Sequence, residues 1–191
     1  MIVESTVREM DYEEAAAAVA GGAALVDLRP TDDYLDVHIP GSLALLYEFG
    51  PGMAVRARDC IPLSVPFVLC DPGGIDLVNA AGSLRGKGFT VLGRLEDAIN
   101  AWAESTGASP ASTDVVTARP DTAILAVQDP GARLEDPADV TIPMETLWTR
   151  TEEVPPDPVA IAAGYGVRAA LAVGVLERAG RRRIAFWRTL G

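Results

Sequence analysis

The feature that most constrains this chain is the alternation of short, continuously apolar runs with helical patterns. Ala24–Leu28 (ALVDL), Pro66–Cys70 (PFVLC) and Phe89–Leu92 are such runs. Between them stand segments of helical spacing. One is the helix that Asp11 caps and that Gly21-Gly22 stops; another covers Thr31–Val37; a third runs from Asp76 to Gly86 with Leu77, Ala80, Ala81 and Leu84 on one face. Leu95–Ala103 follows as an amphipathic helix, while FGPGMAVRARDC carries no assignable pattern. A strand apolar on every residue is one covered on both faces. The pattern therefore predicts an α/β fold with parallel sheets flanked by helices. In such a sheet the loops at the carboxyl ends of strands carry function, and Cys70 stands at one of those ends.

A second, shorter round begins after a Ser-, Thr-, Ala- and Pro-rich stretch, Glu104–Asp121, which reads as a linker. Ala123–Val127 (AILAV) matches ALVDL, Pro130 echoes Pro30, and TIPM at Thr141 echoes HIPG at His38. Val159–Ala163 (VAIAA) matches VPFVLC. Leu171–Arg181 matches Asn79–Phe89, with Gly82/Gly174, Leu84/Leu176 and Gly88/Gly180 in register. Arg183–Trp187 is the last strand, and no final helix follows it. The expected organisation is one α/β unit at 1–107, a linker at 108–120 and a shortened copy at 121–191.

Charge restricts the partners. The net charge is −11, with −9 of it in residues 1–107, so a phosphate-binding face for nucleic acid is not expected. Tyr165–Gly191 reverses the trend with six Arg against one Glu, and Arg181, Arg182 and Arg183 are adjacent; a solvated, dipole-favoured helix end is the simplest reading. No run of apolar residues is long enough to span a membrane. The acidic start MIVESTVREMDYEE lacks the features of a signal peptide, so the expected location is the cytoplasm. Two cysteines, Cys60 and Cys70, make no disulfide framework, and one histidine with two cysteines supplies no zinc spacing. No phosphate loop is present. No cofactor and no metal are expected.

The residues around Cys70 resemble the rhodanese (thiosulfate sulfurtransferase) family over about residues 8–104. VDLRPTDDYLDVHIPGS is similar to the family's strand, Asp-x-Arg, acidic-aromatic helix and His-Ile-Pro-Gly-Ala turn. FVLC is similar to the strand that leads to the catalytic cysteine. GKGFTVLGRLEDAINAW is similar to the closing Gly-Phe, strand and Leu-x-Gly-Gly-Ile-x-Ala-Trp pattern, with Asp97 and Ala98 where two glycines are usual. The resemblance implies a parallel five-stranded sheet wrapped by helices. It implies an activity that moves sulfane sulfur: Cys70 takes sulfur from thiosulfate or a persulfide and passes it to a thiophile.

That chemistry needs a thiolate near neutral pH, whereas a free cysteine has a pKa of about 8.5. It also needs backbone N–H groups converging on the persulfide. The family loop often reads Cys-x-x-Gly-x-Arg. Here it reads Cys70-Asp71-Pro72-Gly73-Gly74-Ile75-Asp76. Gly73 matches the loop glycine and Ile75 occupies the arginine position. Pro72 has no N–H. Asp71 and Asp76 are expected to raise the thiol pKa and repel an anionic donor. Asp76 is also the expected N-cap of the next helix, in competition with an anion for the same amides. The matching loop of the second copy runs Ala163, Gly164, Tyr165, Gly166, Val167, Arg168; it keeps glycines and an arginine but has no nucleophile.

Other residues have structural expectations. His38 fixes the HIPG turn by a hydrogen bond, Asp27 and Arg29 form a pair near the loop mouth, and Cys60 is a buried thiol that would resolve a persulfide only if it met Cys70. A phosphatase-like Cys-x5-Arg loop is excluded because position 76 is Asp. Two functions follow. One is sulfurtransfer through Cys70, with a small sulfur-containing anion or a thiol as partner. The other is a catalytically silent binding or regulatory module; its loop resembles modules attached to metallo-β-lactamase-fold hydrolases, which implies a protein partner. The sequence sets no oligomeric state.

Overall fold

The computed structural model describes residues 6–48, 50–128 and 137–189. Pro130, matched above to Pro30, lies outside them. The chain divides into two compact units, residues 1–30 with 45–110, and residues 31–44 with 111–191.

In the first unit the helices are α1 (Tyr12–Ala20), α3 (Gly52–Cys60), α4 (Leu77–Gly86) and α5 (Ala98–Thr106); the strands are β1 (Ala24–Asp27), β3 (Phe67–Asp71) and β4 (Val91–Glu96). The second unit contains α2 (Thr31–Asp36), β2 (Leu43–Ala44), β5 (Asp114–Val116), β6 (Ala123–Ala126), β7 (Val140–Thr141), α6 (Met144–Leu147), a 3-10 turn at Thr151–Glu153, β8 (Val159–Ala163), α7 (Val167–Arg178) and β9 (Ile184–Arg188).

β1, β3 and β4 are consecutive parallel neighbours in a four-stranded sheet. β1 is buried at every residue and β3 at four of five, as a strand covered on both faces must be. α1 begins with a capping box: Asp11 accepts from the Glu14 amide at 2.8 Å and Glu14 accepts from the Asp11 amide at 3.1 Å. It packs on β1 and α5, α3 packs on α4, and α4 packs on β4. The stacked rings of Phe67 and Phe89, 4.5 Å apart, fill the entrance of β3.

Two elements differ from expectation. α3 occupies the stretch that carried no pattern; its buried face is Met53, Ala54, Ala57 and Cys60, and arginines at 56 and 58 interrupt the apolar signal. β4 begins at Val91, not Phe89, and extends to Glu96, so α5 starts three residues later than its apolar spacing suggests. The hinge is Asp97, at φ 46°, which stands where the resemblance expects glycine. Its carboxylate accepts twice from Asn100 Nδ2 at 2.9 Å.

The second unit is built on a five-stranded parallel sheet of order β5-β9-β8-β6-β7. Residues 114–116 of the Ser- and Thr-rich stretch pair with β9 as β5. Ile124, Ala160, Ala162 and Trp187 form a buried cluster in this sheet. α7 packs on β8, α6, α2 and β2. His38 is fully buried: Nδ1 donates to the Tyr34 carbonyl at 2.8 Å, the Tyr34 ring stacks on it at 4.2 Å, and Nε2 lies 3.2 Å from both Glu177 oxygens. His38 thus holds its turn by hydrogen bonds, as its place in HIPG suggests. Among the described residues no helix is long and apolar enough to cross a membrane.

Candidate functional site: the Cys70 loop

β3 delivers Cys70 to the carboxyl edge of its sheet, and α4 begins seven residues later. The chain between them is Asp71, Pro72, Gly73, Gly74, Ile75 and Asp76, so the structure brings all six first-loop residues singled out above into one turn. Gly73 and Gly74 lie at φ 77° and 76°, with nothing within 4 Å of where a Cβ would stand. The double left-handed step is what requires the glycine pair.

Both loop carboxylates are engaged. Asp71 Oδ1 accepts from the Gly73 amide at 2.9 Å, and Asp76 Oδ1 accepts from the Asn79 amide at 2.9 Å as the N-cap of α4. Asp71 Oδ2 accepts from Arg94 Nη1 at 2.5 Å, and Arg94 Nη2 reaches Glu9 at 3.1 Å. Glu9 is brought there because the segment before α1 runs beside β4: Arg94 N–H donates to Arg8 and Met10 N–H donates to Arg94, each at 2.8 Å. Arg94 and Glu9 were not singled out in the sequence. The available signal was strand alternation in VLGRLE, which places residue 94 between inward-facing Gly93 and Leu95.

Cys70 is 9 % exposed. In the parallel ladder it is the register partner of Asp27 on β1 and of Leu95 on β4. Asp27 is buried and bound by Arg29 alone four times: Oδ1 accepts from the Arg29 amide and Nε at 3.0 Å, and Oδ2 accepts from Nε at 3.1 Å and Nη2 at 2.7 Å. The expected Asp27–Arg29 pair is therefore present. Burial pushes the Cys70 thiol far above its ordinary range; the Asp27 charge adds to that, and the Arg29 charge opposes it. The sequence pointed to Asp71 and Asp76 as the acidic neighbours acting on the thiol. After burial, the charge that raises it is that of Asp27, its register partner on β1.

The other cysteine, Cys60, is buried at the end of α3, and neither cysteine is in a disulfide. Among the described residues no group of His, Cys, Asp and Glu is arranged to hold a metal.

The loop Ala163–Arg168 belongs to the second unit, not to the Cys70 turn. Ala163 ends β8 fully buried, and its carbonyl accepts from the Thr189 amide at 3.1 Å and hydroxyl at 2.9 Å. Gly164 follows it, and Gly166 is the N-cap of α7, with no side-chain cap bond. Arg168 donates to Glu145 at 2.8 Å; partial burial pushes the Glu145 carboxyl up, but the Arg168 bond, Glu145's own amide and the Arg168 charge together hold it below the usual range. The nearby arginine run caps α7 from the other end: Arg182 Nη1 donates to the carbonyls of Glu177 at 3.0 Å and Arg181 at 2.9 Å.

No curated protein matches the sequence. Among solved structures, thiosulfate sulfurtransferase from Pseudomonas aeruginosa is similar at 16% identity with a TM-score of 0.44; the match covers 95% of this chain and 41% of that one, so this chain spans under half its length. A 3-mercaptopyruvate sulfotransferase from Escherichia coli is similar at 17% identity with a TM-score of 0.44, over 96% of this chain and 98% of that one. The model of the rhodanese-like domain matches residues 11–105, which contain β1, β3, the Cys70 turn and β4. Residues 11–105 of this chain are a rhodanese-like domain.

Proposed function

We propose that this protein is a rhodanese-like relative of the sulfane-sulfur transferases in which sulfur transfer is weak or lost, with Cys70 as its sole candidate persulfide carrier. The observation that carries this reading is the state of the Cys70 sulfur: buried, beside the Asp27 carboxylate, and held as a thiol far above the usual cysteine range. Sulfur transfer starts from the thiolate. Its sulfur attacks the outer sulfur of thiosulfate, a new S–S bond forms, the old one breaks and sulfite leaves with the electron pair. Cyanide or a thiolate then takes the outer sulfur and returns the cysteine thiolate.

The loop supplies some of what this requires. The amides of Gly74, Ile75 and Asp76, in the turn that follows Cys70, have no hydrogen-bond partner among the described residues. It withholds the rest. Position 75 is isoleucine, Pro72 has no N–H, and Asp71 occupies the Gly73 amide. A small sulfur-containing anion or a thiol remains the substrate class of any residual activity.

Ala163 favours a second reading. We take 121–191 as a second, shorter copy of the unit at 1–107, and its counterpart of Cys70 is a methyl group. A chain with one thiol held protonated and one missing fits a binding or regulatory module that acts with a sulfur-metabolism or hydrolase partner.

The test is thiocyanate formation from thiosulfate and cyanide by the wild type and by Cys70→Ser. The expected wild-type rate lies within about tenfold of the variant's, a difference worth about 1.4 kcal/mol in the barrier. A wild-type rate several orders of magnitude above Cys70→Ser would overturn the weak-or-lost reading. Equal rates would leave the binding module as the function.

A further inference from the structure

We propose that Asp27 and Arg29 are the positioning residues that set the reactivity of Cys70, Asp27 holding back from the sulfur the cation that β1 places beside it. This rests on the reading of Cys70 as the site. It adds a cause that lies outside the loop.

The geometry is that of a parallel ladder. Asp27 and Cys70 are register partners on adjacent strands, about 4.8 Å apart, and residues in register point to the same face. Asp71, one residue on, points to the opposite face, where Arg94 meets it. Arg29 follows Asp27 by two residues and folds back on it, with its amide and two guanidinium nitrogens all directed at that carboxylate. Asp27 is nearly closed from solvent and Arg29 partly so, with side-chain exposures of 5 % and 19 %. The carboxylate's repulsion of a thiolate therefore offsets the guanidinium's attraction for it.

The other groups around Cys70 do not compete. Its β4 partner is Leu95, and Asp71 and Asp76 are bound as described. Asp27 and Arg29 are thus the charged pair on the sulfur's own side. Neutralising Asp27 releases Arg29 toward a thiolate; removing Arg29 leaves a bare buried carboxylate beside the sulfur.

The experiment is alkylation of the full chain by iodoacetamide from pH 6 to 10, with the Cys70 peptide quantified by mass spectrometry. The sulfur forms a C–S bond and iodide leaves, so the rate follows the thiolate without requiring sulfur transfer. For Asp27→Asn the profile moves to lower pH and the rate at pH 8 rises about tenfold, one unit of thiol pKa. For Arg29→Gln it moves the other way, and the rate falls. Arg29→Lys keeps the wild-type direction of charge and stays between the two. The double variant Asp27→Asn with Arg29→Gln, a neutral pair, lies closer to wild type than either single variant.

A purely structural pair predicts something else: both single variants loosen the strand end and both speed alkylation. That result, or no shift in either profile, overturns the proposal. If Arg29→Gln fails to fold, Asp27→Asn and the double variant decide it, since without a downward shift in Asp27→Asn the proposal falls. The thiocyanate assay can fail or succeed independently of all these outcomes.

Discussion

Arg94 on β4 donates to Asp71 at 2.5 Å while the same carboxylate accepts from the Gly73 amide at 2.9 Å, so one arginine pins the first step of the Cys70 turn. The guanidinium is 28 % exposed and its other arm holds Glu9. Partial exposure limits what such a pair contributes, since water screens it. Arg94→Ala is expected to lower stability by about 1 kcal/mol, and Asp71→Asn by a similar amount. A double-mutant cycle from urea unfolding should give a coupling of about 0.5–1 kcal/mol, while additive costs would show that the two residues act separately.

The Cys70 thiol also makes stability depend on alkaline pH. Its folded pKa is raised, by burial first and by Asp27 next, above the unfolded value of about 8.5. The stabilisation from keeping the thiol neutral is therefore fully present below that value. It is lost as pH rises above it, because the unfolded chain then releases a proton that the folded chain retains. Urea midpoints measured between pH 7 and 10.5 should fall more steeply for the wild type than for Cys70→Ala. Parallel curves would mean that Cys70 ionises as readily folded as unfolded.

The sequence revealed the strand-loop-helix around Cys70 because that information is local. A continuous apolar run, a glycine pair and an aspartate before a helical pattern lie within Val65–Asp76, and Asp76 caps α4 as its place predicts. What stayed hidden depends on partners distant in sequence. Arg94 meets Asp71 across 23 positions, and Glu9 joins them from the segment before α1. α3 was hidden for another reason: a small apolar face of Met, Ala and Cys between arginines gives little periodic contrast. Asp97 was visible as a departure from the family pattern, but only its φ of 46° shows that it takes over the backbone conformation of a glycine.

In the second unit, Glu177 ties the HIPG turn to α7. It lies 3.2 Å from His38 Nε2 and accepts from the Gly41 amide at 2.7 Å, and its side chain is only 9 % exposed. Glu177→Ala leaves a buried ring nitrogen and a backbone N–H without this partner, which costs about 2–3 kcal/mol. Glu177→Gln retains an acceptor and should cost less. Equal, small losses in thermal or urea unfolding would assign the contact no part in holding residues 31–44 in this unit.

Gly82 and Gly174 stand at matching places in the sequence pattern, yet the structure gives them opposite roles. Gly82 sits on the exposed face of α4, and a Cβ there meets nothing within 4 Å. Gly174 is buried on α7, and a Cβ there would collide with the Ser42 carbonyl and lie 3.1 Å from the Tyr34 hydroxyl. That hydroxyl already donates to the same carbonyl at 2.7 Å, so neither atom can move without losing a buried hydrogen bond. Gly82→Ala should stabilise by about 0.5–1 kcal/mol, because alanine reduces the freedom of the unfolded chain and favours the helix. Gly174→Ala gains the same propensity but must separate α7 from residues 34–42, a net loss of about 1–3 kcal/mol typical of overpacking. Urea unfolding of the two variants should therefore shift in opposite directions; a stabilised Gly174→Ala would mean that the approach of α7 to Ser42 is looser than this packing requires.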